Sequence, residues 1–238
     1  MSRQFTAETT YFLQEGRANL SQCLESAFSA ALLHNIKKIV VFTAAGAGVR
    51  QAIEEFLSRE RFSHIALVAV TFPVGKKFKG ADDQLFEANI PEIERNLFKA
   101  HNVPIVRAHL PFDSVTAPWS HHGVLGQDLS LVGDALCMFG GSMSLCVQAV
   151  ALACDAGEVG AGEHVIAITS DTAILAQAAP TATILCDLVI REILCKPAIF
   201  SVGRNENADQ LPMQLGEAKA VTSEPQILLP SPPDPGSK

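Results

Sequence analysis

Three short segments of this chain place glycines and small polar residues where backbone amides can be left free, the chemistry needed to hold an anion. Thr43-Ala44-Ala45-Gly46-Ala47-Gly48 follows an apolar run and precedes helical spacing. It reads as a strand-to-helix loop whose unpaired N–H groups and helix dipole can face a phosphate. It reads equally as a tight turn in which glycine lets helix pack on strand, and both readings stand at this point. A dinucleotide fingerprint is excluded: Gln51 replaces the third glycine of G-x-G-x-x-G, and Thr71-Phe72-Pro73 stands where an acidic residue would follow the second strand. Thr169-Ser170-Asp171-Thr172 follows a later apolar run, with Ser170 or Asp171 placed to cap a following helix. Gly140-Gly141-Ser142-Met143-Ser144 comes near a nucleophile elbow but ends in Ser and follows a helical segment rather than a strand. Ser142 is therefore expected as a helix N-cap, with Gly141 and Ser142 amides open to a phosphate.

Other candidates have plainer explanations. His121 and His122 are adjacent, so their rings diverge, and no Cys or carboxylate stands at ligand spacing; no metal site is expected. Asp82, Asp83 and Glu87 read as solvated caps, without a partner pattern for acid–base work. The six cysteines contain no C-x-x-C pair and read as reduced thiols in apolar settings. A formal charge of −7 argues against a nucleic-acid footprint, which Lys76-Lys77-Phe78-Lys79 is too small to reverse. No stretch approaches the roughly 18 apolar residues of a membrane helix, and the polar start lacks a signal-peptide core, so a cytoplasmic address without membrane contact is expected.

The elements that must position these segments follow from periodicity. Helical spacing spans Gly16 to Asn35, Val49 to Leu57, and Ala88 to Asn102, the last with Asn89 as cap and Pro91 early in the helix. A helical hairpin is expected over Asp128 to Phe139 and Ser142 to Ala156, closed by Gly157. Short continuous apolar runs at Lys37 to Thr43, His64 to Thr71, Val103 to Leu110 and His164 to Thr169 are expected as buried parallel strands. Thr183 to Ile190 is expected as a last strand, with a polar-to-Ala segment, Ser170 to Pro180, before it. Pro111 to Gly126, with Trp119, reads as a long loop. From residue 203 onward Pro, Ser, Glu and Gln accumulate, which gives two regions: an α/β domain over 1–202 and a tail over 203–238 expected to be disordered.

The blocks Thr9-Thr10-Tyr11-Phe12, Ile39 to Gly46, Gly140 to Cys146, Asp155-Ala156-Gly157, His164 to Ile168 and Ile190 to Pro197, in this order and spacing, resemble the stand-alone proteins similar to the pyruvate kinase C-terminal α/β domain. The resemblance runs from about Thr9 to Pro197. It implies a three-layer α/β/α sandwich with a mostly parallel sheet of about five strands, Thr183 to Ile190 forming an antiparallel edge. It also implies that hydroxyls at the positions of Thr43, Ala45 and Ala47 would grip a phosphate; only Thr43 keeps one. Where the family carries a glycine-rich segment with an arginine, this chain retains only Asp171-Thr172-Ala173, and Phe72-Pro73 stands where relatives carry histidines. Pyruvate kinase activity is not expected, because the catalytic barrel is missing. The expectation is a small-molecule-binding protein taking a phosphorylated ligand on Thr43, Ala44, Ala45, Gly46, Ala47, Gly48, Gly141, Ser142, Thr169, Ser170, Asp171 and Thr172. Flavin mononucleotide (FMN) comes first and a sugar phosphate second, in a chain that can be a homo-oligomer. Two alternatives remain: an enzyme using Asp171 or Thr43, and a structural or oligomerising domain with a vestigial site.

Overall fold

The computed structural model describes residues 6–79, 85–113, 129–140 and 142–200. It is a three-layer α/β/α arrangement around a seven-stranded sheet in the order β1-β9-β8-β7-β2-β3-β6. The strands are β1 (Thr10–Phe12), β2 (Lys38–Phe42), β3 (Ala66–Thr71), β6 (Ile105–Arg107), β7 (His164–Ile168), β8 (Ala173–Gln177) and β9 (Val189–Pro197). A separate antiparallel hairpin joins β4 (Lys77–Lys79) to β5 (Leu85–Glu87). Six strands of the main sheet share one direction and β8 alone is reversed.

Helices α1 (Leu20–Leu33), α2 (Ala47–Ala52, continued by a π turn over Ile53–Leu57) and α3 (Glu92–Ala100) cover one face. There Leu24, Phe28, Val49, Phe56 and Phe98 meet Ile39 and Val41. Phe28 stacks on Phe56 with centroids 4.5 Å apart and meets Phe62 edge-on at 5.1 Å. Burial of a ring such as Phe28 contributes about 2–3 kcal/mol. Helices α4 (Ser130–Cys137) and α5 (Met143–Asp155) belong to the other face, where Val147 and Val150 of α5 meet Val40, Phe42 and Val68. The alternation of Ile39 and Val41 toward one layer with Val40 and Phe42 toward the other explains why β2 reads as an unbroken apolar run: both faces are covered.

Several expectations are corrected. The sheet has seven strands rather than about five. Ser170 to Pro180 does not open a helix: Ala173–Gln177 is the reversed strand, buried and apolar in both layers, so its alanines carry no amphipathic period. Thr183 to Ile190 is not an edge strand. It is mostly a helical turn, a 3₁₀ turn at Thr181–Thr183 leading into α6 (Ile184–Asp187), and the strand runs on from Val189 to Pro197 inside the sheet. The edges are instead β6 on one side and, on the side of β9, β1, in which only Phe12 is buried. Asn89 does not cap α3: Pro91 occupies the position before Glu92, and Asn89 Oδ1 accepts from Arg107 at 3.4 Å. Phe72 is a packing residue, edge-on to Phe42 at 4.7 Å and to Phe78 of β4 at 4.8 Å. His121, His122, Trp119, Asp82, Asp83, Gly141 and the expected tail lie outside the described residues.

Candidate functional site

Strand order places the site. From β2 the chain moves outward through β3 to β6, then returns over the opposite face to β7 on the other side of β2. Such a reversal leaves a crevice outside the carboxyl ends of the two strands, because the connections leave toward opposite layers. Thr43 and Ser170 stand two residues beyond the Val41–Ile168 pair, so two of the three sequence segments emerge side by side.

The loop after β2 is held by its own residues. The Thr43 amide donates to Val70 O at 2.9 Å, extending the β2–β3 ladder by one residue, and Thr43 Oγ1 accepts from the Gly46 amide at 2.9 Å. Gly46 sits at φ +96°, a conformation that favours glycine, and opens α2. A Cβ on Gly46 would stand 3.1 Å from Phe98 Cζ and 3.2 Å from Glu94 Cγ, so α3 closes over this turn. Ala45 is exposed, Ala44 and Ala47 are half-buried, and Thr43 and Gly48 are buried.

Two residues that no spacing signal announced lie against this loop. Glu94 Oε1 accepts from Arg50 Nε at 2.9 Å and pairs with Nη2 at 2.8 Å, while Arg50 Nη1 reaches Glu54 at 3.0 Å. The bonds to Glu94 and then Glu54 push the Arg50 guanidinium pKa up. Glu94 Oε2 is buried without a partner, and so is Thr71 Oγ1 at the carboxyl end of β3. Thr71 is fully buried, in line with Thr43 one strand over. These contacts bring together helices forty residues apart in sequence, which is why sequence reading missed them.

The second segment is a hairpin turn between β7 and β8, so Ser170 and Asp171 cap no helix and no helix dipole acts there. The Thr169 amide donates to Thr172 O at 2.9 Å and the Thr172 amide to Thr169 Oγ1 at 3.2 Å. Asp171 is buried at 4% exposure. Its Oδ2 accepts from the Gly16 amide at 2.7 Å and its Oδ1 from Thr172 Oγ1 at 3.1 Å. Asp171 thus pins the chain before α1 to the turn.

The third segment stands apart. Ser142 precedes α5 with helical dihedrals and makes no side-chain capping bond, which corrects its expected N-cap role. A Cβ on Gly140, two residues earlier, would lie 3.4 Å from Pro197 Cγ, so the approach to this helix sits by the end of β9. One turn further along α5, Cys146 donates to Thr172 O at 3.6 Å. Gln148, also missed by sequence, is 2% exposed, accepts from the Phe112 amide at 2.7 Å and donates to Ser144 Oγ at 3.1 Å, fixing the segment after β6.

A groove of about 660 Å³ lies at the amino edge of the sheet, lined by His34, His164, Leu175, Arg191 and Glu192 among others. His34 Nε2 stands 3.4 Å from Glu192 Oε2 there, and Arg191 donates to Gln177 Oε1 at 2.6 Å. It is at the opposite end of the strands from the loops described above.

No protein-family model matches the chain. Among solved structures, 69% of it aligns with 23% of the crystal structure of Cryptosporidium parvum pyruvate kinase, at 14% identity and a TM-score of 0.30. The chain therefore spans under a quarter of that protein. The likeness is weak and establishes neither a shared ligand nor a shared activity.

Proposed function

We propose that this chain binds a phosphorylated small molecule at the carboxyl edge of β2 and β7. The observation that carries the reading is the reversal of strand order between these two strands, with α2 opening at a left-handed glycine beside it. The first amides of α2 point out of the helix without intrahelical partners, and neither α2 nor α5 has an acidic residue in its first turn. Glu94, packed against Gly46, is paired with Arg50. Ser170, half-buried in the adjoining turn, adds a hydroxyl. Flavin mononucleotide is the first ligand of this kind to try and a sugar phosphate the second. An enzyme built on Asp171 is less favoured, because both of its oxygens already accept bonds from the fold.

Amide chemical shifts followed during titration with FMN, glucose 6-phosphate and inorganic phosphate test the reading. Residues 44–48 and 170–172 should move at millimolar ligand or below. Ala45→Asp, at an exposed position, should keep the fold and abolish the shifts by placing a carboxylate on the loop. Shifts confined to Lys76 and Lys77, or none with any of the three probes, would sink the proposal.

A further inference from the structure

We propose that Cys23 and Cys195 are a paired redox site, oxidised by hydrogen peroxide to a disulfide that ties α1 to β9. Cys195 Sγ lies 3.5 Å from Cys23 Sγ and donates its S–H to it, and both residues are fully buried. Cys23 also donates to Thr169 O at 3.6 Å, so its sulfur sits between the hairpin turn and the outer part of the sheet. The third fully buried cysteine, Cys146, belongs to the opposite hydrophobic layer and donates to Thr172 O, with the sheet backbone between it and the pair. Cys137 and Cys154 are half-buried and Cys186 is exposed. Two thiols in contact across a helix–sheet interface thus have one another as the nearest sulfur partner, from elements 172 positions apart.

The step balances with the peroxide as sole co-reactant. One sulfur, as thiolate, attacks a peroxide oxygen; the O–O bond breaks, a sulfenic acid forms and one water leaves. The second sulfur then displaces the sulfenic hydroxyl; the S–S bond forms and a second water leaves. Two thiols lose two electrons and two protons, and the peroxide is reduced to water. A peroxide molecule is small enough to enter during a local opening that would not admit a bulkier disulfide. The S–H bond from Cys195 and then burial push the Cys23 thiol well up, and the negative charge that Cys195, Cys146 and Asp171 can carry adds to the rise. Thiolate is scarce, so oxidation is slow at neutral pH and quickens as pH rises.

The disulfide would replace the Cys23 bond to Thr169 and clamp the layer beneath the turn that Asp171 holds. Its presence does not depend on the ligand reading above. The test uses the full chain: exposure to hydrogen peroxide, quenching, denaturation, alkylation of remaining thiols and peptide mapping by mass spectrometry. A Cys23–Cys195 peptide pair, lighter by two hydrogens, should accumulate more slowly than oxidation of exposed Cys186, faster at pH 9 than at pH 7, and should revert with dithiothreitol. Cys146→Ala should leave the cross-link intact and Cys195→Ser should abolish it; mapping of the unaltered protein decides the matter if that variant does not fold. Recovery of both Cys23 and Cys195 as free thiols after prolonged exposure at pH 9, well beyond complete oxidation of Cys186, or cross-links from either of them to Cys146, would overturn the proposal.

Discussion

At the scale of single residues, Asp171 and Thr71 show opposite uses of a buried polar group. Asp171 satisfies the Gly16 amide and the Thr172 hydroxyl at once. Asp171→Ala orphans a half-buried amide and a buried hydroxyl and should lower stability by about 2–3 kcal/mol, read from the urea midpoint at constant m-value. Thr71 Oγ1 has no partner. Thr71→Val keeps the shape and removes a desolvated hydroxyl, so it should raise stability by about 1 kcal/mol in the same assay. A loss of stability in Thr71→Val would mean that the hydroxyl is bonded in solution, to water or to Glu94. The sequence marked Asp171 as a polar residue after a strand, a local fact. It could not mark its partner, because Gly16 lies 155 positions away.

At the scale of elements, the turn at Gly46 belongs to helix packing as much as to any ligand. Gly46→Val meets Phe98 and Glu94 and forces a branched residue to φ +96°. It should cost about 2–4 kcal/mol with or without phosphate. Ala45→Ser, one position earlier and exposed, should shift the melting temperature by no more than about a degree or two. If both variants fold like the unaltered chain and only phosphate binding changes, α3 does not bear on the turn as described. The strand–glycine–helix order around Thr43–Gly48 was legible because each part carries its own period and punctuation. The β7–β8 hairpin was not: Ala173–Gln177 is short, alanine-containing and buried on both sides, so neither of the two periods that separate helix from strand survives in it. The Arg50–Glu94 pair was illegible for a third reason, since it joins two helices whose relative placement is set by the sheet between their strands.

At the scale of the whole molecule, the sheet is held unevenly. β2 is paired along both sides by β7 and β3, whereas β1 is three residues at an edge, paired among the described residues only to β9 and carrying Tyr11 at 60% exposure. Native-state hydrogen exchange should therefore show amides 11–13 opening far more readily than Ile39 to Val41, by several orders of magnitude in protection factor. Equal protection would place β1 in the same cooperative unit as the centre. The three layers and the main parallel strands could be anticipated from sequence because apolar runs and amphipathic helices are short-range patterns. The β1 edge could not, because Thr10–Phe12 buries only Phe12 and carries no apolar run of its own.

The pairing of Thr10–Phe12 with Cys195–Pro197 also has a consequence in time. On the ribosome the first strand emerges long before its described partner exists, and so do the faces of α1 that meet Thr169 and Cys195. Until some 185 further residues have been made, Phe12 has no β9 to pair with, at a synthesis rate of about 5–20 residues per second. For roughly ten seconds or more the nascent chain displays Phe12 and the side of α1 that later meets Cys195, so this stretch is a segment on which a chaperone would act.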